Sequence, residues 1–167
     1  PICGVAWAAR QLGQNAVIYM PKGSAQERVD AILRLGAECI VTDMNYDDTV
    51  RFTMQTAQKN GWEVVQDTAW EGYTTIPTWI MQGYATLADE AVEQMNAMDV
   101  KPTHVLLQAG VGAMAGGVLG YLVDVYGPRN LHSVIVEPEL ADCVDRSGVK
   151  GEIVNVGDEI TVKVLKF

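Results

Sequence analysis

The sequence predicts an α/β fold: an open parallel sheet with helices on both faces, followed by a C-terminal β-strand tail. Three observations carry this. Short apolar runs alternate with longer segments whose apolar residues recur at helical spacing. Each run is joined to its neighbour by a short turn rich in Gly, Pro, Asn or Ser. The runs are apolar throughout rather than alternating, as in strands covered on both faces. Strand, helix, strand in this order, with short joints, indicates βαβ units.

Element by element, "VAWAARQL" (5–12) reads as a helix stopped by Gly13. "NAVIYMP" is a strand ended by Pro21. Ser24 is the expected N-cap of "AQERVDAILRLG", whose Val29, Ile32, Leu33 and Leu35 share one face. "AECIVTD" is the next strand, and a helix capped near Asn45 runs to Gly61. "WEVVQD" is expected as a third strand, followed by the loop "TAWEGYTTIP" and a long helix from Thr78 to Met98. "THVLLQAG" is a strand, "AMAGGVLGYLVDVYG" a helix and "HSVIVEP" a strand. "ELADCVDRSG" suits one or two helical turns. After a "VGDE" turn, Ile160, Val162 and Val164 alternate with polar residues, the pattern of a half-buried strand.

The 167 residues suffice for one domain with a real core, and a hydrophobic share of 49% with 20% charged residues is ordinary for a globular chain. The net charge of −9 argues against nucleic acid, whose phosphates demand Lys and Arg, and against an anionic membrane surface. No apolar run reaches the roughly 18 residues of a membrane span, and the opening "PICGVAWAAR" lacks the basic start and long apolar stretch of a signal peptide. Cys3, Cys39 and Cys143 are odd in number and far apart. They read as buried free thiols of a cytoplasmic protein, and no metal site is expected.

In an open parallel sheet, ligands gather beyond the carboxyl ends of the strands. Those ends carry Pro21-Lys22, Thr42-Asp43, Gln66-Asp67-Thr68, the glycine knot "QAGVGAMAGG" and Glu137-Pro138. The knot lies between a strand and a helix, where unpaired helix amides and the helix dipole attract anions. Glycine lets the backbone turn with positive φ and come close to a ligand. The knot is therefore a candidate phosphate cradle. It lacks the Lys-Ser/Thr of a P-loop, the dinucleotide spacing and the acidic ribose contact. The alternative is that Gly116, Gly117 and Gly120 let the helix pack close to the sheet. Asp67 is a candidate general base or a turn cap, and Glu137 contacts a ligand or ends its strand. Asp43, Asp47 and Asp48 read as helix-start residues. His104 and His132 fall at strand starts, opposite the ligand end. Trp70 and Tyr73 wall a pocket or pack under their loop.

From Gly4 to Gly157 the chain resembles the diaminopropionate ammonia-lyase family, of the fold-type II pyridoxal-phosphate enzymes. The stretches that carry the resemblance are "GVAWAARQLGQNAVIYMPKGSAQERVDAILRLGAECIVTD", "VVQDTAWEGYTTIPTWIMQGYATLADEAVEQM", "PTHVLLQAGVGAMAGGVLGYLVDVY" and "VIVEPELADCVDRSGVKGEIVNVG". The resemblance implies α,β-elimination of 2,3-diaminopropionate to pyruvate and ammonia, with pyridoxal 5'-phosphate as electron sink. It implies that Gly110, Val111, Gly112, Ala113, Met114, Ala115 and Gly116 hold the cofactor phosphate. Asp67 matches a base acting on one substrate enantiomer, and Trp70 and Tyr73 lie near the mouth of the site. It also places the Schiff-base lysine, an Asp-Gly-Asn-His-Gly stretch and the pyridine-nitrogen contact outside the matched residues. None of Lys22, Lys59, Lys101, Lys150, Lys163 or Lys166 sits in the lysine motif, so this chain alone is expected to be inactive. "GEIVNVGDEITVKVLKF" resembles a strand of an S1, OB-fold domain. The expected division is an ammonia-lyase-like domain over 1–157 and a foreign strand over 158–167, as in a chimera. The expected partners are a small amino-acid substrate and further copies of the chain, without membrane or nucleic acid. A ligand-free, non-catalytic domain, a nucleotide-binding module and an RNA-binding tail remain as alternatives.

Overall fold

The computed structural model describes residues 2–140 and 142–151 and the backbone of 159–166. It falls into two compact units, Pro1–Gln66 and Asp67–Phe167.

The first unit contains α1 (Ile2–Gln11), β1 (Val17–Met20), α2 (Gln26–Arg34), β2 (Glu38–Val41) and α3 (Tyr46–Asn60). β1 and β2 pair in parallel, with Val17 opposite Glu38 and Met20 opposite Val41. Ala6, Ile18, Met20, Ile32 and Ala37 form the core. Helix α2 departs from expectation at both its cap and its face. Ala25 occupies the cap position with no side-chain bond, because the Ser24 hydroxyl donates instead to the Pro21 carbonyl at 2.8 Å. Val29 and Ile32 are buried, but Leu33 stands half exposed on the flank of the stripe. Helix α3 follows expectation. The Asn45 side chain accepts the Asp48 amide at 2.8 Å, Asp47 and Asp48 lie in the first turn, and Gly61 closes the helix at φ 68°. The carboxyl end of β2 is occupied by structure. Buried Thr42 and Thr49 share a hydroxyl hydrogen bond of 2.8 Å, and Thr42 also donates to Met20.

The second unit contains α4 (Thr75–Ala97), β3 (His104–Gln108), α5 (Ala113–Tyr126), β4 (His132–Leu140), α6 (Cys143–Lys150) and β5 (Glu159–Lys166). β3 and β4 are parallel, from His104 opposite His132 to Gln108 opposite Val136. β5 joins the other side of β4, antiparallel, with Val134 opposite Lys166 and Leu140 opposite Glu159. The sheet is thus mixed, and the C-terminal strand is a ladder member. The "VGDE" turn and the 157/158 boundary lie outside the described residues. The core joins Ala88 and Val92 of α4, Leu107 and Ala109 at β3, Ala115, Val118 and Leu122 of α5, and Leu131 and Ile135.

Three further expectations change. No regular strand spans 62–67, so Asp67 lies in a loop and not at a strand end. An apolar run becomes a strand only where a neighbour completes its ladder, and neither assigned sheet includes this one. Helix α4 begins at Thr75, ahead of Pro77 rather than after it. A first-turn residue needs no amide donor, so proline is tolerated there. Coverage of the strands is also incomplete, with Leu106 of β3 65% exposed.

Candidate functional site

The glycine knot has a split construction. The Ala109 amide still donates to Val136, so the ladder ends there. Gly110 and Val111 are exposed, and Gly112 turns the chain at φ 91°, ψ −6°, in the left-handed region that favours glycine. Gly112 is also the N-cap of α5. It supplies no side-chain cap, and no acidic residue occupies the first turn. Its carbonyl accepts the Gly116 amide at 2.8 Å, which starts the helical ladder. By helix geometry the amides of Ala113, Met114 and Ala115 have no acceptor inside the helix. With the helix dipole behind them they form a donor set for an anion. Gly116 differs from its neighbours, since its amide is engaged within the helix.

Of the later glycines, Gly117 is the one that packing requires, and its partner is a helix rather than the expected sheet. A Cβ at Gly117 would stand 2.4 Å from the Met81 carbonyl oxygen and 3.2 Å from the Tyr84 Cβ, so α5 meets the backbone of α4 there. A Cβ at Gly116 would meet the flexible Met81 Cε at 3.2 Å, and one at Gly120 would meet nothing within 4 Å. The α4–α5 contact is reinforced by the Tyr121 hydroxyl, which donates to Asp89. An apolar groove along it is lined by Met81, Ala85, Gly117 and Tyr121.

Asp67 is half buried and belongs to the same unit as the loop. Its carboxylate lies close enough to Tyr84 to raise the phenol's pKa, an effect added to the larger one of burial. Tyr84 in turn borders Gly117. Asp67, Tyr84 and the second turn of α5 are thereby brought together. Trp70 and Tyr73 pair with each other. Their rings stack at 4.1 Å and 16°, their backbones exchange hydrogen bonds of 3.2 and 2.9 Å, and Gly72 turns between them at φ 83°.

Glu137 is the residue whose place no sequence pattern disclosed. It is wholly buried, and its two carboxylate oxygens accept the Val144 amide at 2.9 Å and the Asp145 amide at 3.0 Å. It therefore caps α6 from inside the sheet. Cys143, the first residue of α6, donates its thiol to the Gly110 carbonyl at 2.8 Å. Burial, then the charge of Glu137, pushes that thiol's pKa up, which keeps it protonated and able to donate. Cys39 and Cys143 are partly buried free thiols, whereas Cys3 is exposed on the first turn of α1, contrary to expectation. The His104 and His132 rings lie 4.9 Å apart, tilted by 32°, across neighbouring strands at the end away from the loop. Among the described residues no cluster of three or more potential ligands is placed to hold a metal, and no helix is long and apolar enough to cross a membrane.

A diaminopropionate ammonia-lyase of Escherichia coli strain K12 is 86% identical over 157 residues, which is 94% of this chain and 39% of the relative. The chain thus spans about two fifths of the length of that relative. A crystal structure of a holo diaminopropionate ammonia lyase from Escherichia coli superposes with a TM-score of 0.92 at 81% identity, over 99% of this chain and 42% of the other. The same enzyme in complex with D-serine gives 0.90 at 86% identity, over 93% and 40%. The family model for pyridoxal-phosphate dependent enzymes matches residues 3–163, a span that includes the loop, Asp67 and both βαβ units. With that match over nearly its whole length, the chain belongs to the pyridoxal-phosphate dependent enzyme family.

Proposed function

We propose that this chain supplies the phosphate cradle and an acid–base residue of a lyase that eliminates ammonia from 2,3-diaminopropionate. The observation that carries the reading is the Gly112 turn, which starts α5 with amides that have no acceptor inside the helix and, among the described residues, no side-chain cap or first-turn acid. That donor set fits a phosphate ester. A Cβ at Gly112 would only touch Val144 Cγ2 at 3.4 Å, but the φ of 91° would strain it, so the cradle's shape depends on this glycine. The amides of Ala113, Met114 and Ala115 would hold the phosphate of pyridoxal 5'-phosphate. Gly110 and Val111 would form the lip, and Gly116 would begin the helix behind it. The bound cofactor supplies the electron sink for negative charge at the substrate's α-carbon. Asp67 exchanges a proton at that carbon. The stacked Trp70 and Tyr73 form an apolar edge that excludes water near Asp67. What supports the substrate class is the identity with the ammonia-lyases and the D-serine bound by one of them.

Titrating pyridoxal 5'-phosphate against the chain, followed by ³¹P NMR, tests the cradle. Saturable binding is expected, weakened about tenfold by Gly112→Ala, since a left-handed alanine costs roughly 1–2 kcal/mol. No binding by the unaltered chain at millimolar ligand would remove the cradle reading and leave a ligand-free domain. An ammonia-release assay on 2,3-diaminopropionate with added cofactor checks the expected inactivity of the isolated chain. We propose also that copies of the chain self-associate and that it works in a reducing cytoplasm, readings supported by exposed Leu106 and Trp79 and by three free thiols.

A further inference from the structure

Of the three helix N-termini in the unit that carries the glycine turn, those of α5 and α6 are treated differently. That of α5 has no side-chain cap. That of α6 is filled by the chain's own buried carboxylate, because both oxygens of Glu137 accept amides of its first turn. The two ends are linked through the Cys143 thiol on the Gly110 carbonyl and through Val144, whose Cγ2 borders Gly112. A trans peptide is planar, so fixing the Gly110 carbonyl toward Cys143 fixes the Val111 amide in the opposite direction. An unfilled α6 terminus would be free to shift and would take Cys143 with it.

We infer that Glu137 is a positioning residue for the cradle: by capping α6 it seats Cys143, and Cys143 sets the orientation of the Gly110–Val111 peptide. This rests on reading the loop as a phosphate cradle. Glu137 touches no ligand in this scheme. Two amides hold its carboxylate toward α6, while its charge still reaches Cys143. Replacing one oxygen by NH₂ sets a donor against a donor at Val144 or Asp145 and releases the cap.

The test uses the full 167-residue chain, with inorganic phosphate and pyridoxal 5'-phosphate as probes and pyridoxal, which lacks the phosphate, as control. Glu137→Gln and Cys143→Ala are each expected to weaken both phosphate-bearing probes roughly fivefold to tenfold, the scale of one charge-assisted hydrogen bond. Pyridoxal binding should not change. Cys143→Ser, which keeps a donor, should restore most of the affinity. A general structural role would lower the melting temperature and affect all three probes alike. If Glu137→Gln does not fold, the Cys143 pair still decides the question. Cys143→Ala binding phosphate as tightly as the unaltered chain would overturn the inference while leaving the cradle reading intact. Failure of the unaltered chain to bind phosphate would overturn both.

Discussion

Asp67 and Tyr84 are the electrostatic pair that ties the candidate base to the helices behind the glycine turn. Burial is the larger reason that Tyr84 holds its proton above the ordinary value of 10.0, and the Asp67 charge adds to it. Removing that charge lowers the cost of forming a phenolate. Asp67→Asn should therefore shift Tyr84 ionisation downward, yet leave it above the ordinary value because burial remains. A ¹³C-tyrosine NMR titration of both proteins measures this, and an unchanged Tyr84 would mean that the two groups are not coupled. At this scale Asp67 and the loop glycines could be singled out from the chain itself, since an acid and a turn are visible as residue types. Glu137 could not. Whether a carboxylate after a strand faces solvent, a ligand or a helix end depends on what the fold packs against it.

Among the elements, α5 shows how one glycine-rich segment divides into separate duties. Gly112 serves the turn, Gly117 serves the approach of α4, and Gly120 faces open space. Gly117→Ala must displace the backbone of α4, a change that costs about 1–3 kcal/mol as overpacking does. Gly120→Ala should be neutral or stabilising by about 0.5–1 kcal/mol, because only helix propensity changes. Urea denaturation of the two variants separates the duties. Equal stabilities would contradict the close α4–α5 contact. The helices were legible because caps and periodicity are local: Asn45, Gly61 and the 113–127 pattern end up where expected. The strand expected at 62–67 was not, since its apolar residues cannot reveal whether a ladder partner exists.

For the molecule as a whole, the telling feature is apolar surface that its own fold leaves uncovered. Leu106 of β3, Trp79 and Leu87 of α4 and Val111 of the loop are each more than half exposed. Large exposed apolar surface favours association, so sedimentation velocity is expected to show species heavier than 18.2 kDa that dissociate on dilution. A single monomeric boundary at all concentrations would refute this. The same surface includes Leu106 of β3, a strand residue that the helices of this chain leave 65% exposed. Uniformly apolar runs say that a strand can be buried, while the residues that bury it lie elsewhere in the chain or in another copy. The alternation of strand and helix, the position of the glycine turn and the family were set by the sequence alone, because periodicity, glycine and helix capping act over a few neighbouring residues. The antiparallel docking of β5 on β4, the meeting of α4 with Gly117 and the burial of Glu137 beneath α6 were decided only in the tertiary structure. The first two join residues distant in sequence, and the third needs a helix packed on the strand that precedes it, so these contact energies exist only after the chain has folded.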